Sequence, residues 1–233
     1  MFGILNIDTA NDNDGSDGIV IAQFAASVSI NSARVIAVSD SLSLRRLSST
    51  NLAQRWEIKA QIYDPNFFID YFVHNVINDV NTSIFIRPPL PVKKFELTEN
   101  DPRGYSNIVT ETDKYNFSRG IAEIVSTETA GSDHVALRLN QGDAKVFKGD
   151  FVRFQNHSKL YMVTSVSIIN ASMDDIQIGL FPRLTKDLVF LGNANLGLNA
   201  TMTCFYDNTQ LSGLTYQDGI LVESPTITFV EAL

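Results

Sequence analysis

Three histidines, one cysteine and two groups of clustered carboxylates are the residues of this chain whose types could support catalysis or metal binding. His74, His134 and His157 are scattered. None has a second histidine at the short spacing that lets two imidazoles reach one zinc ion. Cys204 is the only cysteine, so an intrachain disulfide is impossible and a thiolate metal site would need ligands from elsewhere. It lies in TMTCFY, residues 201–206, which reads as a strand; a small core residue is expected there. This cysteine usage fits a chain that folds in a reducing cytoplasm. A Ser/His/Asp triad assembles in space from distant residues, so the mere presence of the three types is no evidence for one.

The carboxylates are no more specific. Residues 8–18, DTANDNDGSDG, are rich in the oxygen donors that hard cations prefer. Setting Gly15 as the invariant glycine of a calcium loop places Ala10 at the first ligand position and Ile21 at the last, so the pattern fails at both ends. A solvated loop is the expectation. Asp174 and Asp175 precede a strand, where neighbours point to opposite faces. A glycosidase needs two carboxylates about 5 to 9 Å apart across a cleft, so this pair reads as a turn element. No GxxxxGK[ST], GxGxxG or GxSxG occurs. No catalytic residue, cofactor or metal is expected.

The elements around these residues are strands. The 233 residues allow one large domain or two modest ones, and 44% hydrophobic with 19% charged residues is an ordinary globular balance. The net charge of −8 disfavours contact with a phosphate backbone, so no sequence-specific nucleic-acid binding is expected. The N-terminal residues lack the basic and apolar regions of a signal peptide, and no apolar run is long enough for a membrane helix.

Residues 19–30 and 34–38 read as strands. Residues 39–53 are polar with Leu42, Leu44 and Leu47 spaced through them, and suggest an extended arm that packs against a neighbour. From Gln54 to Ile62 the chain alternates, with Trp56, Ile58, Ala60 and Ile62 on one face, a half-buried strand in which Trp56 anchors the core. Asp64-Pro65 is a helix start, and Phe68, Phe72 and Val76 recur at i+4, predicting a helix to about Asn81 with His74 on it. A strand at 83–87 follows, then an irregular connection. From Arg119 short strands recur, with turn signals at Ala130-Gly131-Ser132 and Gln141-Gly142-Asp143. The clearest are Phe151–Phe154, opened by Gly149-Asp150, then Leu160–Ile168 after a turn at Asn156-His157-Ser158, and Ile176–Phe181, stopped by Pro182. Residues 198–206 and 227–230 complete the set. The expected fold is mainly β. A β-sandwich outer domain with one helix spans 1–115 and 188–233, and a small β-barrel-like module, 116–187, is inserted between its halves.

The order of these pieces carries a resemblance. RWEIKAQI, a helix, SIFIRPP, then KGDFVRF, KLYMVTSV, DDIQIGLFPRL and a terminal TFVEAL together resemble bacteriophage distal tail proteins and their relatives at the tail tip or baseplate. The matching residues are Arg55-Trp56, Gly149-Asp150, Tyr161 with Val163, Pro182 with Leu184, and Phe229 with Glu231, spread from Gln54 to Leu233; residues 1–53 carry less of the pattern. The resemblance implies a non-catalytic virion component, made in the host cytoplasm. It implies a ring homo-oligomer, usually a hexamer, that joins the tail tube to the tip or baseplate proteins. Ring contacts are then expected from the 39–53 arm and the 65–80 helix, with Leu42, Leu44, Leu47, Phe68 and Phe72 as candidates, and the module would face outward or toward adaptor proteins. Two rivals make different demands. A receptor- or carbohydrate-binding β module would expose aromatics in a shallow groove, with Tyr105, Tyr115 and Tyr216 available. A β-rich enzyme would hold a polar pocket with a shifted carboxylate or histidine.

Overall fold

A computed structural model describes residues 3–5, 20–40, 46–62, 84–88, 119–139, 146–169, 175–197, 199–207, 215–218, 220–223 and 226–232. Every regular element among them is a strand, and the fold is mainly β. The chain divides into two compact units, residues 1–23 with 84–203 and residues 24–83 with 204–233. The predicted helix near 64–81 lies outside the described residues.

The first four strands are β1 (Gly3–Leu5), β2 (Val20–Asp40), β3 (Arg46–Ile62) and β4 (Ile84–Arg87). β1 lies between the start of β2, with Ile4 opposite Ala22, and β4, with Ile4 also opposite Ile86. Then come β5 (Arg119–Ile124), β6 (His134–Leu139), β7 (Phe151–Phe154), β8 (Leu160–Ile168), β9 (Asp175–Phe181) and β10 (Asn193–Gly197). These six, contiguous in sequence, close into a barrel in the order β10-β5-β6-β9-β8-β7. Closure removes the open edges that a six-stranded sheet would otherwise present.

The barrel interior follows from period-two patterning. Val135, Leu137 and Leu139 of β6 and Ile176, Ile178 and Leu180 of β9 point inward, meeting Val152, Phe154, Tyr161, Val163 and Leu196 from the other side. Fully buried side chains of this size contribute about 1.5–3 kcal/mol each. The polar members of β6 and β9 alternate outward, and Arg138 and Asp175, opposite one another, form a two-pronged ion pair at 2.7 and 3.1 Å. β7 breaks the rule, with all four residues buried. Arg153 lies on its outer face, donating to the carbonyl of His157 and to the hydroxyl of Thr201, both at 3.0 Å.

Turns fix the register. Asn156 sits at φ 68°, a left-handed conformation asparagine tolerates, and the amide of His157 closes the β7–β8 turn on the carbonyl of Phe154. Gly149, at φ 94°, makes the turn into β7, and Asp150 caps it by accepting from the amide of Phe147 at 2.9 Å.

In the other unit β2 pairs with β3 over most of its length, and β3 pairs with β14 (Thr226–Glu231), which pairs in turn with β11 (Met202–Tyr206). Trp56, Ile58 and Ala60 are buried with Ile227, Phe229 and Cys204. Glu231 is buried opposite Cys204 and accepts the amide of Trp56 at 3.0 Å. β12 (Thr215–Gln217) and β13 (Ile220–Glu223) form a small hairpin. β14 covers only residues 57–61 of β3, whereas β2 and β3 continue paired to Asp40 opposite Arg46. Among the described residues, a two-stranded ribbon therefore runs on beyond β14.

Candidate functional site

The outer face of β6, β9 and β8 carries a groove of about 430 Å³. Register builds it. Gly179 of β9 lies opposite His134 of β6 on one side and Ser165 of β8 on the other. One row along, Gln177 lies between Ala136 and Ser167. The side chains that line the groove are almost all polar, with Thr164 and Asp133 completing the wall.

Two local irregularities make the depression. The β8–β9 register slips between Val163 and Ser165, so Val163 stays in the core while Thr164 and Ser165 are both exposed on the groove side. A bulge is the way a strand re-aims consecutive side chains. Beside it, Gly179 leaves room: a Cβ there would run into Ser165 Oγ and would lie 2.7 Å from Thr164 Oγ1. The missing side chain lets both hydroxyls lie over β9, a common meaning of glycine inside a strand.

The far wall is held rigidly. His134 Nδ1 lies 3.1 Å from Asp133 Oδ1, and Arg183 lies 3.7 Å from Asp133 Oδ2. The hydrogen bond from His134, helped by the Arg183 guanidinium, holds the Asp133 carboxyl below the usual carboxylate range. Behind this pair, the two oxygens of Glu128 accept from Ser126 and Ser132 at 3.0 and 3.2 Å. The same two hydroxyls accept the amides of Ala136 and His134, so Glu128 clamps the 125–133 segment onto β6. The connection after β9 adds backbone bonds, Gly131 to Leu184 and Leu184 to Ser132.

Chemically, Asp133 can orient the His134 imidazole. A nucleophilic triad would also need a hydroxyl on the other ring nitrogen, and among the described hydrogen bonds none reaches it. The groove presents three hydroxyls, a carboxamide, an imidazole and one carboxylate to solvent, which is an array for recognition by hydrogen bonds. No group of three or more metal-ligating side chains occurs among the described residues.

No protein-family model and no curated protein matches this chain.

The residues singled out from the sequence fall in several places. Leu47 lies in β3 opposite Ser39, within the ribbon. Leu42, Leu44, Phe68 and Phe72 lie outside the described residues, as do His74, Tyr105, Tyr115 and the 8–18 loop. Tyr216 is in β12, opposite Leu221. Asp175 is engaged by Arg138, and its neighbour Asp174 lies outside the described residues. Cys204 is fully buried, and burial, reinforced by Glu231, pushes its thiol well above the ordinary range. His157 is buried in the barrel, with Nδ1 3.0 Å from the hydroxyl of Tyr161, which also lies 2.9 Å from Thr185 Oγ1. Of the two described histidines, His134 is the one that lines the groove. The groove itself is not expected from the sequence, although two signals mark it. The spacing of Val163 and Val166 around Thr-Ser cannot fit one face of a straight strand, and Gly179 leaves the outward row of β9 without a side chain at that point.

Proposed function

We propose that this chain is a structural, non-catalytic subunit of a bacteriophage tail, assembled as a closed ring that joins the tail tube to the tip or baseplate. The ribbon carries the reading. Residues 34–40 of β2 pair with β3 back to Arg46, beyond the residues 57–61 that β14 covers, and the edges of such a ribbon are rows of backbone donors and acceptors. Eight residues of strand extend about 25 Å, and an isolated two-stranded hairpin is marginal in water. A neighbouring copy that adds a strand to such an edge stabilises the hairpin and repeats by rotation, and head-to-tail repetition closes into a ring. In this reading the 39–53 segment, with Leu47, makes the ring contacts. The mainly β fold and the ordered segments from Arg55-Trp56 to Phe229-Glu231 support the family reading. With the net charge of −8, an acidic ring lumen would not retain DNA in transit.

The test is a shortened hairpin. A variant in which residues 37–49 are replaced by Asn-Gly keeps the part of β3 that pairs with β14. Electron microscopy of the unaltered chain is expected to show rings, and the shortened variant single particles with an unchanged circular dichroism spectrum per residue of strand. Rings formed equally well by the shortened variant would refute the ribbon's role.

A further inference from the structure

We propose that the groove on the barrel's outer face is a binding site for a neutral saccharide. The inference goes beyond ring assembly and stands on the barrel alone.

The lining decides the ligand class. A phosphate, sulfate or uronate would need a cation at the contact surface; the described lining residues include no lysine or arginine and do include the Asp133 carboxylate. The Arg183 guanidinium lies 3.7 Å from Asp133 Oδ2, where it offsets that carboxylate's charge. A metal cation would need several carboxylate or carbonyl oxygens, and the described lining residues supply one carboxylate. An apolar ligand would find little apolar wall beyond Leu180. What remains is a ligand whose groups each donate and accept. Thr164 and Ser165 present hydroxyls that can do either, Ser167 donates to the Gln177 carbonyl at 3.4 Å and keeps its acceptor side, Gln177 presents an amide with both functions, and Asp133 with His134 presents an oriented acceptor–imidazole pair. Vicinal sugar hydroxyls match that set by hydrogen bonding alone; none of the described lining residues is a Phe, Tyr or Trp, so this is a different mode from the aromatic groove expected of a receptor- or carbohydrate-binding module. The volume of about 430 Å³ is in the range of small-molecule sites.

The shape points the same way. The bulge at Thr164 and the bare backbone at Gly179 cooperate to bring two adjacent hydroxyls onto one face, which a regular strand cannot do. The opposite wall is fixed through Glu128, Ser126 and Ser132, so the site is ordered before a ligand arrives. Pre-ordering matters for a ligand bound by exchanging its hydrogen bonds with those of water.

The test uses the full chain on an array of neutral oligosaccharides (hexose and N-acetylhexosamine oligomers) and acidic ones (uronate and sialylated oligomers). The neutral oligosaccharide retained most strongly is then titrated calorimetrically. Retention of neutral members is expected, with acidic counterparts at least tenfold weaker. Gln177→Ala is expected to weaken binding about tenfold by removing an exposed hydrogen-bonding group. Ser167→Ala serves as a second variant should Gln177→Ala fail to fold, and is expected to act in the same direction. Failure to retain any neutral oligosaccharide would overturn the proposal. So would retention of acidic ones only, or neutral binding unchanged in both variants. Light scattering on the same samples separates this outcome from that of ring assembly, since neither variant touches the ribbon.

Discussion

Tyr161→Phe removes one oxygen from the barrel and little else. The ring of Tyr161 is fully buried and packs on Phe154 and His157 at centroid distances of 5.4 and 5.9 Å, contacts that phenylalanine keeps. The hydroxyl is the junction of three polar groups: Nδ1 of His157 at 3.0 Å, Oγ1 of Thr185 at 2.9 Å and the amide of Thr185 at 3.1 Å. Thr185 is exposed, and water can replace what it loses. His157 is buried at 3% exposure, so its Nδ1 loses a partner that water cannot readily supply. Leaving a buried polar atom unsatisfied costs about 1–3 kcal/mol, and the expected loss is therefore about 2 kcal/mol. For a chain of this size that corresponds to a fall in Tm of about 4–8 °C. Urea denaturation followed by far-UV circular dichroism is the assay, because the single tryptophan, Trp56, lies in β3 and reports on the other unit. A double-mutant cycle with His157→Gln would assign the loss to this pair. A Tyr161→Phe variant within about 0.3 kcal/mol of the parent would refute the reasoning that the hydroxyl is structurally committed.

Other expectations follow from the same interior. Burial, together with the charge of Lys186, lowers the pKa of His157 and outweighs the opposing hydrogen bond at Asp187. The folded state then binds a proton less readily than the unfolded state. The contribution is intact above the ordinary histidine value of about 6.5 and is lost as pH falls below it toward the folded value. Stability measured from pH 7.5 to 5 should decline with a slope of at most about 1.4 kcal/mol per pH unit from this group, and His157→Gln should flatten that part of the profile. Cys204, fully buried with a raised thiol pKa, should resist a thiol reagent at pH 8 in the native protein and react fully in denaturant; rapid native labelling would place it at the surface. Arg138→Ala should cost no more than about 1 kcal/mol, since its pair with Asp175 is half exposed; a larger loss in urea melts would contradict that view.

The sequence shows strands where the alternation is local and strong. Phe151–Phe154 and Leu160–Ile168 are expected with the bounds that β7 and β8 have, because Gly149 and Asn156 punctuate them. Trp56 reads as a core residue from period two alone, and it is buried at 4% exposure. Elements that depend on distant partners are harder to read. β10 is NANLG, poor in β-forming residues, and exists because it lies between β5 and β7 and closes the barrel. β2 is expected as two strands with a break at Asn31-Ser32-Ala33, yet these residues pair without interruption with Glu57, Trp56 and Arg55. The supply of hydrogen bonds from β3 carries the strand through the gap left between the two expected ones. The polar 39–53 stretch reads as an extended arm, and residues 39–40 and 46–53 are the paired ends of β2 and β3. The groove depends on a bulge and on register across three strands, which a one-dimensional pattern hints at but does not assemble.

The central claim is assembly through the ribbon, and the mass of the particle in solution tests it most directly. Multi-angle light scattering across a size-exclusion peak of the full chain should give a mass close to six times the 25.8 kDa of one copy, independent of loading concentration. A single peak at 25.8 kDa over the same concentrations would contradict the account.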